Sequence, residues 1–491
     1  MHPPSFNFDN SYARELEGFY VPWEGARVPA PRMLRLNRAL ARELGLDPDA
    51  LDTEAGAAML AGMSRPEGAE PLAMAYAGHQ FGGFSPQLGD GRALLVGEVI
   101  DRDGRRRDIH LKGSGRTPFS RGGDGKAVLG PVLREYVIGE AMHALGIPTT
   151  RALAAVTTGE EVIRDGYKPG AVLARVASSH LRVGTFQFFA ARGETERVRR
   201  LADYAIGRHF PDLADRDTRY LGLLARVRDT QAALVARWVL VGFVHGVMNT
   251  DNMAISGETI DYGPCAFIDS YDPKAVFSSI DQFGRYAYGN QPTVAQWNLA
   301  RFAETLLDLI NPDDGEDAVR QATDEINRFP ETYQAEWLKG MRAKLGLLTE
   351  QPDDNDLANA LFAAMEGKGV DFTLFFRRLS DLVRGNPAPE RSLFADPAAL
   401  DGWLERYERR LADEDVPADA RAGAMDRINP LHIPRNHKVE EALEAALAGD
   451  MAPFDRLLQA VTAPFEERAG LESYAEPAPK DFGPYTTFCG T

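Results

Sequence analysis

This chain of 491 residues has few cysteines, no long apolar run and fewer basic than acidic residues. Only two cysteines occur, which excludes a disulfide-built fold and is typical of the reducing cytoplasm. The richest apolar run, residues 238–244, is far shorter than the roughly 20 residues of a membrane helix. The N-terminus lacks a basic region followed by an apolar core, so no secretory signal is expected. A net charge of −17 argues against bulk nucleic-acid binding.

The remaining composition is that of an ordinary soluble globular protein. Charged residues make up 26% of the chain and hydrophobic residues 44%. A chain of this length buries a core easily and has room for at least two lobes. The composition therefore bounds the class of protein, and the motifs must supply the function.

Strand patterns and one clear helix fill the first part of the chain. Residues 93–100 predict a strand, Asp103-Gly104 a turn, and residues 108–112 a second strand that completes a hairpin. Residues 131–145 predict a helix, with proline near its start and glycine just after its end. Further strands are expected over residues 149–156, 161–164 and 171–176.

Helical patterns dominate from about residue 190 onward, apart from a polar loop over residues 245–272. Strands first and helices afterwards predict an α+β, protein-kinase-like two-lobed fold. A helical pattern over residues 33–44 precedes the strand-rich part. The predicted divisions are an N-terminal extension that packs on the body (1–70), a strand-rich N-lobe (71–190), a helical C-lobe with the catalytic and metal loops (191–470) and a C-terminal tail of extended surface chain (471–491).

The polar loop contains the most informative cluster of side chains. Asp251 and Asn252 are adjacent, and Asp261 follows ten residues after Asp251 on an Asp-Tyr-Gly turn. Carboxylate and amide oxygens are ligands that suit Mg²⁺ or Mn²⁺, and Asp251 is placed to accept a proton from an attacking hydroxyl. The His-Arg-Asp of ordinary kinase loops is missing, which favours ATP chemistry other than phosphorylation. A capped turn is the structural alternative.

A glycine loop, a strand lysine and a helix carboxylate precede this loop. Gly89-Asp-Gly91-Arg92 offers backbone amides and a positive charge to phosphate. Lys112 ends a predicted strand and Glu135 lies on the following helix, which is the pairing that kinase-like sites use. Each part alone has a plain alternative: a hairpin turn, a solvated lysine at a sheet edge, or a carboxylate that faces water. Their order in one chain favours a nucleotide site.

Two arginines extend this prediction. Arg175 and Arg182 flank a serine-rich turn, and a pair of guanidinium groups can clamp an anion with bidentate hydrogen bonds. The alternative is two surface arginines. His180 and His245 are expected to be hydrogen-bonded structural histidines rather than ligands.

Several long motifs resemble those of the selenoprotein O family, whose bacterial members are also called YdiU. The resemblance extends over nearly the whole chain. The motifs are His79-Gln-Phe-Gly-Gly-Phe, residues 111–125, His245-Gly-Val-Met-Asn-Thr-Asp-Asn252, Asp261-Tyr-Gly-Pro-Cys265, residues 429–437 and Cys489-Gly-Thr.

The resemblance implies a kinase-like pseudokinase fold that binds ATP in an inverted pose. It implies transfer of AMP to Ser, Thr or Tyr hydroxyls of proteins, with release of pyrophosphate; some bacterial members are described as transferring UMP from UTP with manganese. Lys112 would bind phosphate and pair with Glu135, Asn252 and Asp261 would hold Mg²⁺ or Mn²⁺, and Asp251 would be the proton acceptor. The implied nucleotide contacts are Gly89, Gly91, Arg92, Lys112, Asp124, Gly125, Arg175, Arg182 and Asp261.

The resemblance also implies redox control through the tail. Cys489 stands at the third-from-last position, which is selenocysteine in some relatives, and Cys265 follows the Asp-Tyr-Gly turn. A Cys265–Cys489 disulfide that restrains activity is therefore a hypothesis. The alternative is an unpaired buried Cys265 and an inert tail thiol.

Two other functions stay open at this point. An ordinary phosphotransferase would transfer the γ-phosphoryl group of ATP instead of its AMP moiety. An inactive nucleotide-binding scaffold would have no need of Lys112, Glu135, Asp251, Asn252 and Asp261 together, and their joint presence argues against it.

Overall fold

A computed structural model describes residues 5–386 and 389–488 of the protein, which form one eight-stranded antiparallel sheet, two two-stranded ladders and a large set of helices. The strands are β1 (Tyr20–Pro22), β2 (Arg32–Leu36), β3 (Leu72–Met74), β4 (Gly78–Gln80), β5 (Gly83–Ser85), β6 (Ala93–Ile100), β7 (Arg106–Lys112), β8 (Ala127–Val128), β9 (Arg151–Arg164), β10 (Gly166–Ala177), β11 (Phe243–Val244) and β12 (Ala266–Phe267).

The helices come mainly after the strands, which confirms the mixed α and β class predicted from the sequence. They are α1 (Ser11–Glu15), α2 (Arg38–Glu43), α3 (Pro48–Leu51), α4 (Glu54–Leu60), α5 (Leu129–Ala144), α6 (Val183–Ala190), α7 (Thr195–His209), α8 (Arg219–Leu240), α9 (Gln291–Ile310), α10 (Gly315–Asn327), α11 (Phe329–Lys344), α12 (Asp354–Met365), α13 (Phe372–Val383), α14 (Asp401–Ala412), α15 (Ala418–Asp426), α16 (Asn436–Leu447) and α17 (Ala452–Val461).

The eight-stranded sheet has the order β1-β3-β6-β7-β10-β9-β2, with β8 paired to β10. β6 and β7 form the predicted hairpin, and β6 has the predicted bounds. β7 and β10 lie inside the sheet, so their side chains pack on both faces. This position removes Lys112 from any sheet edge, because it pairs with Ala93 on one side and Leu173 on the other.

Two predictions of local structure are wrong. Two strands were expected over residues 149–156 and 161–164, but Arg151–Arg164 form one long strand, β9. Its pairing with β10 continues through a register shift between Pro169 and Ala171. The helical pattern over residues 33–44 begins as strand β2, which pairs with β9 at the edge of the sheet. The helix α2 starts only after Asn37, whose side chain accepts a hydrogen bond from Leu40 N at 3.0 Å.

Helix α5 is buried on almost all its faces between the sheet and helices α16 and α17. The burial includes Arg134 and Glu135, at 8% and 5% exposure. A charged pair at such positions needs partners, since unpaired buried charge is costly. α5 therefore presents Glu135 to the sheet in a fixed orientation, and the alternative of a water-facing carboxylate is wrong.

A two-stranded ladder positions the polar loop. β11 and β12 pair antiparallel through Phe243 and Phe267, so both ends of the loop return to one place beside α8. The apolar segment 253–255 makes an isolated antiparallel bridge between Ala254 and Arg182. No helix in the described part of the chain combines the length and apolar character needed to cross a bilayer.

The segment 429–437 ties the C-terminal helices to this ladder. Arg435, fully buried, donates to Asp269 Oδ1 at 2.8 Å, to Asp371 Oδ2 at 2.7 Å and to Ala475 O at 3.0 Å. Asn436 Nδ2 donates to Phe267 O at 2.9 Å. These bonds give a structural role to a motif that had none at the level of sequence.

Replacing Arg435 with Met should lower the free energy of unfolding by about 3–5 kcal/mol, because Asp371 would remain buried without its cation. Urea denaturation measures the change. The matched control is Arg468→Met, which removes an exposed pair with Glu466 and should cost less than about 1 kcal/mol. Equal losses in the two variants would contradict the structural role of Arg435.

Candidate active site

A cleft of about 1130 Å³ opens between the sheet, α5 and the polar loop. All the residues predicted for the site line this one cleft, although they are spread over more than 170 positions of the chain. They are Gly89, Gly91, Arg92, Lys112, Asp124, Gly125, Glu135, Arg175, Arg182, Asp251, Asn252 and Asp261. Their individual roles stay predictions.

Asp261 is the centre of an ion-pair cluster. Lys112 Nζ donates to Asp261 Oδ1 at 2.9 Å and to Glu135 Oε2 at 2.5 Å. Arg175 donates to the same Asp261 oxygen at 2.6 Å and to Glu135 Oε1 at 3.0 Å. Arg182 donates to Asp261 Oδ2 at 2.9 Å. The sheet, α5 and the polar loop therefore meet in one network of charge-assisted hydrogen bonds.

Charge attraction outweighs burial at Asp261. Burial alone would raise its pKa, but the charges of Arg175, Lys112 and Arg182 hold the pKa of this carboxyl well below its usual range. The residue also has φ of 62°, in the left-handed region that few non-glycine residues adopt. Strain of this kind persists only where surrounding contacts impose it, and the three cations supply those contacts.

Neither arginine lies on the surface, so that alternative is wrong. Arg175 and Arg182 are each 2% exposed. Arg182 also donates to Asp251 O at 2.8 Å and lies 4.5 Å over the ring of Tyr76. Arg175 Nε donates to His110 Nδ1 at 3.2 Å across the strands β10 and β7. Neither His110 nor Tyr76 belongs to a recognisable motif, so nothing in the local sequence singles them out as partners of these arginines.

The glycine loop is held under a second loop and does not form a hairpin turn. Gly89 has φ of 66°, and a Cβ there would lie 2.3 Å from the ring of Phe119. A Cβ on Gly91 would lie 2.9 Å from Phe119 O. Asp90 between them is buried and accepts from Met74 N at 3.1 Å, and it lies 3.2 Å from His110 Nε2. The glycines are therefore required for close packing of this wall.

Asp124 and Gly125 form the outer wall of the cleft. Asp124 pairs with Arg164 of β9 through two hydrogen bonds of 2.8 and 3.0 Å. A Cβ on Gly125 would lie 2.2 Å from the backbone of Gly115, so only glycine fits there. Arg92 also lines the cleft, and no carboxylate of the described residues lies within ion-pair distance of it.

Backbone contacts fix the shape of the polar loop. His245 is buried, and its Nε2 lies 2.9 Å from Ile260 O, while Val247 N donates to its Nδ1. Burial lowers the pKa of His245, so it is a neutral structural histidine, as expected. Asn249 Oδ1 accepts from Tyr286 Oη at 2.6 Å and from Phe81 N at 3.2 Å. These bonds hold the polar loop in place on the N-terminal side of Asp251.

Asp251 is buried with one oxygen unsatisfied. Gln80 Nε2 donates to its Oδ2 at 3.2 Å, whereas Oδ1 has no hydrogen-bond partner among the described residues. A Cβ on Gly78 would lie 2.3 Å from Oδ1, so this glycine makes room for the carboxylate. Burial raises the pKa of Asp251 to about 6, against the opposing charge of Arg182. A carboxylate in this state is suited to accept a proton near neutral pH.

Gly78 and Gln80 belong to the motif His79-Gln-Phe-Gly-Gly-Phe, which sequence reasoning had used only as a mark of resemblance. In the sequence this motif is visible as a run of glycine and aromatic residues that has no assigned role. Its partner Asp251 lies more than 170 positions away in the chain, and only the fold shows the contact.

Two residues with oxygen donors suited to a divalent cation, Asn252 and Asp261, line the same cleft. Asn252 Nδ2 donates to Val247 O at 3.0 Å, which leaves its carbonyl oxygen available, and Asp261 keeps 18% exposure toward the cleft. No cluster of three His, Cys, Asp or Glu residues suited to a metal exists within residues 5–386 and 389–488. An Asn–Asp pair still fits Mg²⁺, which usually binds few protein ligands and completes its shell with phosphates and water.

The tail is mostly exposed surface chain, as predicted, and its residues 484–488 pass along the mouth of the cleft. Tyr485 Oη accepts from Arg134 at 2.9 Å, and Thr487 N donates to Phe277 O at 2.7 Å. Cys265 is a buried free thiol, and burial raises its pKa to about 11, so it is a weak nucleophile in this conformation. Cys489 lies outside the described residues, and the disulfide remains a hypothesis.

Replacement of Asp251 or of Asp261 by asparagine should change the free energy of unfolding in opposite directions. Above about pH 6 the buried charge of Asp251 costs about 3 kcal/mol, so Asp251→Asn should raise the free energy of unfolding. This gain should shrink as pH falls from 6 and vanish below about 3.8, the ordinary pKa of aspartate, where Asp251 is protonated in both states. Asp261→Asn removes a charge that three cations stabilise and should destabilise the protein across the same range. Urea denaturation at several pH values tests both, and changes of equal sign would contradict this account.

Comparison with known proteins agrees with the site. Residues 4–462 match the family described as "Protein adenylyltransferase SelO". The chain is 64% identical over 489 residues to the "Protein nucleotidyltransferase YdiU" of Cereibacter sphaeroides strain ATCC 17025, which covers 99% of this chain and all of that one. Proteins of the same name from Rhizobium meliloti strain 1021 and Mycobacterium sp. strain KMS are 57% and 58% identical, with the same coverage. The chain belongs to the SelO family and is a protein nucleotidyltransferase.

Proposed function

We propose that this protein transfers AMP from ATP to Ser, Thr or Tyr hydroxyls of other proteins, in the cleft of a two-lobed kinase-like fold. The observation that carries the proposal is the joint placement in one cleft of a cation cluster and a buried, partly unsatisfied Asp251. The family description as an adenylyltransferase supports AMP as the transferred group. Transfer of UMP from UTP is the second candidate, by the resemblance to bacterial members.

The cations are proposed to bind the phosphates that leave as pyrophosphate. Lys112, Arg175 and Arg182 converge in the sheet side of the cleft, and Arg92 and the glycine loop lie in the same wall. Fixed positive charge in a buried site stabilises a leaving group that gains negative charge in the transition state. This arrangement supports the inverted pose, because the terminal phosphates then lie deep among the cations and the α-phosphate faces Asp251.

Asp251 is proposed to accept the proton of the attacking hydroxyl. Its Oδ1 is the unsatisfied oxygen, and Gly78 leaves room for it, since a Cβ there would lie 2.3 Å from Oδ1. Glu135 is proposed to hold Lys112 and Arg175 in place, since it bonds both. Asn252 and Asp261 would hold Mg²⁺ or Mn²⁺, which when bound neutralises phosphate charge.

The transfer of label from α-³²P-ATP, compared with γ-³²P-ATP, tests the reaction. Wild-type protein with Mg²⁺ or Mn²⁺ in reducing buffer should label a protein acceptor from the α-position only. Asp261→Ala should abolish the label, whereas Asp103→Ala, in the exposed turn after β6, should not. Label from the γ-position alone would show that the protein is a phosphotransferase. Competition of UTP with ATP identifies the preferred nucleotide.

The transfer rate should fall as pH drops below about 6, since only ionised Asp251 accepts a proton. Asp251→Asn should lower kcat by about 10²–10⁴-fold and remove this pH dependence. The measurement is kcat/KM over pH values that keep the protein folded. A wild-type rate that stays constant through this window would contradict the role of Asp251.

A further inference from the structure

The short hairpin of β4 and β5 stands directly beside Asp251. Gly78 and Gln80 of β4 contact its carboxylate, and His79 N donates to Thr250 Oγ1 at 2.7 Å. The hairpin pairs with none of the eight strands of the main sheet in the described structure. It therefore forms a separate lip of the cleft beside Asp251, and its residues Gln80 and Phe81 line the cleft.

The hairpin exposes large aromatic side chains at this lip. Phe81 and Phe84 are 37% and 41% exposed, and Ile280 across the cleft is 50% exposed. Phe81 also has φ of 52°, a left-handed conformation that costs a non-glycine residue roughly 1–2 kcal/mol. The bonds of Phe81 N to Asn249 Oδ1 and Tyr286 Oη hold it there. An exposed phenylalanine in a strained conformation next to a reactive group indicates binding rather than folding.

Two arginines flank the hairpin. Arg285 lies against Gly82 at its tip and 4.7 Å over the ring of Trp297. Arg192 donates to Pro86 O, just after β5, at 3.2 Å. Within the described residues, neither arginine has a carboxylate at ion-pair distance. In a chain with a net charge of −17, this places two uncompensated positive charges on either side of an aromatic surface.

We propose that the surface formed by Phe81, Phe84, Arg192 and Arg285 binds the acceptor protein. It fits an extended segment that carries the target hydroxyl next to an apolar side chain, with acidic residues close by. The aromatic rings would bury the apolar side chain, and the arginines would pair with the acids. The inference rests on the proposed function, since it gives that same site its acceptor class.

The bound segment completes the chemistry of transfer. Its hydroxyl oxygen forms a bond to the α-phosphorus of ATP, and the bond from that phosphorus to the pyrophosphate oxygen breaks. The hydroxyl proton passes to Asp251 Oδ1. The hairpin holds the segment in place, so its residues should govern the acceptor KM more than the KM of ATP.

A peptide library centred on Ser, Thr or Tyr, with random flanking positions, tests the acceptor class. After incubation with the full-length protein, ATP and Mg²⁺, the modified peptides are sequenced by mass spectrometry. Acidic and apolar flanking residues should be enriched for the wild type. Arg285→Glu should abolish or reverse the acidic preference. No acidic enrichment in the wild type, or the same enrichment in Arg285→Glu, would overturn the proposal.

Kinetics with one enriched peptide separate docking from folding. Phe84→Ala and Arg285→Glu should raise the peptide KM by about 5–30-fold, with the KM of ATP unchanged. Phe81→Gly should also raise the peptide KM, yet it should not lower the melting temperature, since it removes the strain. Leu348→Ala and Arg320→Glu, both exposed outside the cleft, are the matched controls and should change neither KM.

Pyrophosphate release, measured in the same tubes, distinguishes the two levels of failure. Release together with unselective or absent peptide labelling would overturn the docking surface and leave nucleotidyl transfer in place. No release with any acceptor would overturn the proposed function and the docking surface together.

Discussion

The arrangement of the cleft depends on the ion pairs of the Asp261 carboxylate. Three cations from separate parts of the chain, Lys112, Arg175 and Arg182, share its two oxygens. Without this carboxylate they would lie within a few ångströms of one another in a poorly hydrated site, where like charges repel strongly. Glu135 bonds two of the three, Lys112 and Arg175, from helix α5. Asp261 thus adds an electrostatic link between the sheet and the polar loop to the hydrophobic core that the sheet and the helices share.

The surroundings of Asp251 have the opposite effect on its carboxylate from the surroundings of Asp261. Neighbouring cations compensate Asp261, while Asp251 is buried with one oxygen left unsatisfied. The two carboxylates differ in environment and therefore in pKa, the first held low and the second raised to about 6. Pairs of acids that their surroundings separate in this way are typical of sites in which one group holds charge and the other exchanges protons.

Local patterns predicted much of this protein, and long-range contacts supplied the rest. The β6–β7 hairpin and helix α5 follow from alternation, turn residues and helix-end signals, which act over a few residues. The joining of two predicted strands into β9 was missed because pairing with β10 overrides the break in local pattern. The motif order predicted that Lys112 and Glu135 pair, and they do, at 2.5 Å. His110 and Gly78 escaped notice because their partners are distant in sequence.

Helix α5 carries two consecutive residues, Arg134 and Glu135, that contact different parts of the protein. Glu135 points to the cations of the cleft, and the preceding residue, Arg134, reaches the carbonyls of Gly263 and Cys265 and the hydroxyl of Tyr485. Consecutive residues on a helix cannot move independently. Displacement of the tail at Tyr485 would therefore be transmitted to the helix that carries Glu135. Tyr485 of the tail and Lys112 of β7 are thus mechanically coupled through two adjacent residues of one helix.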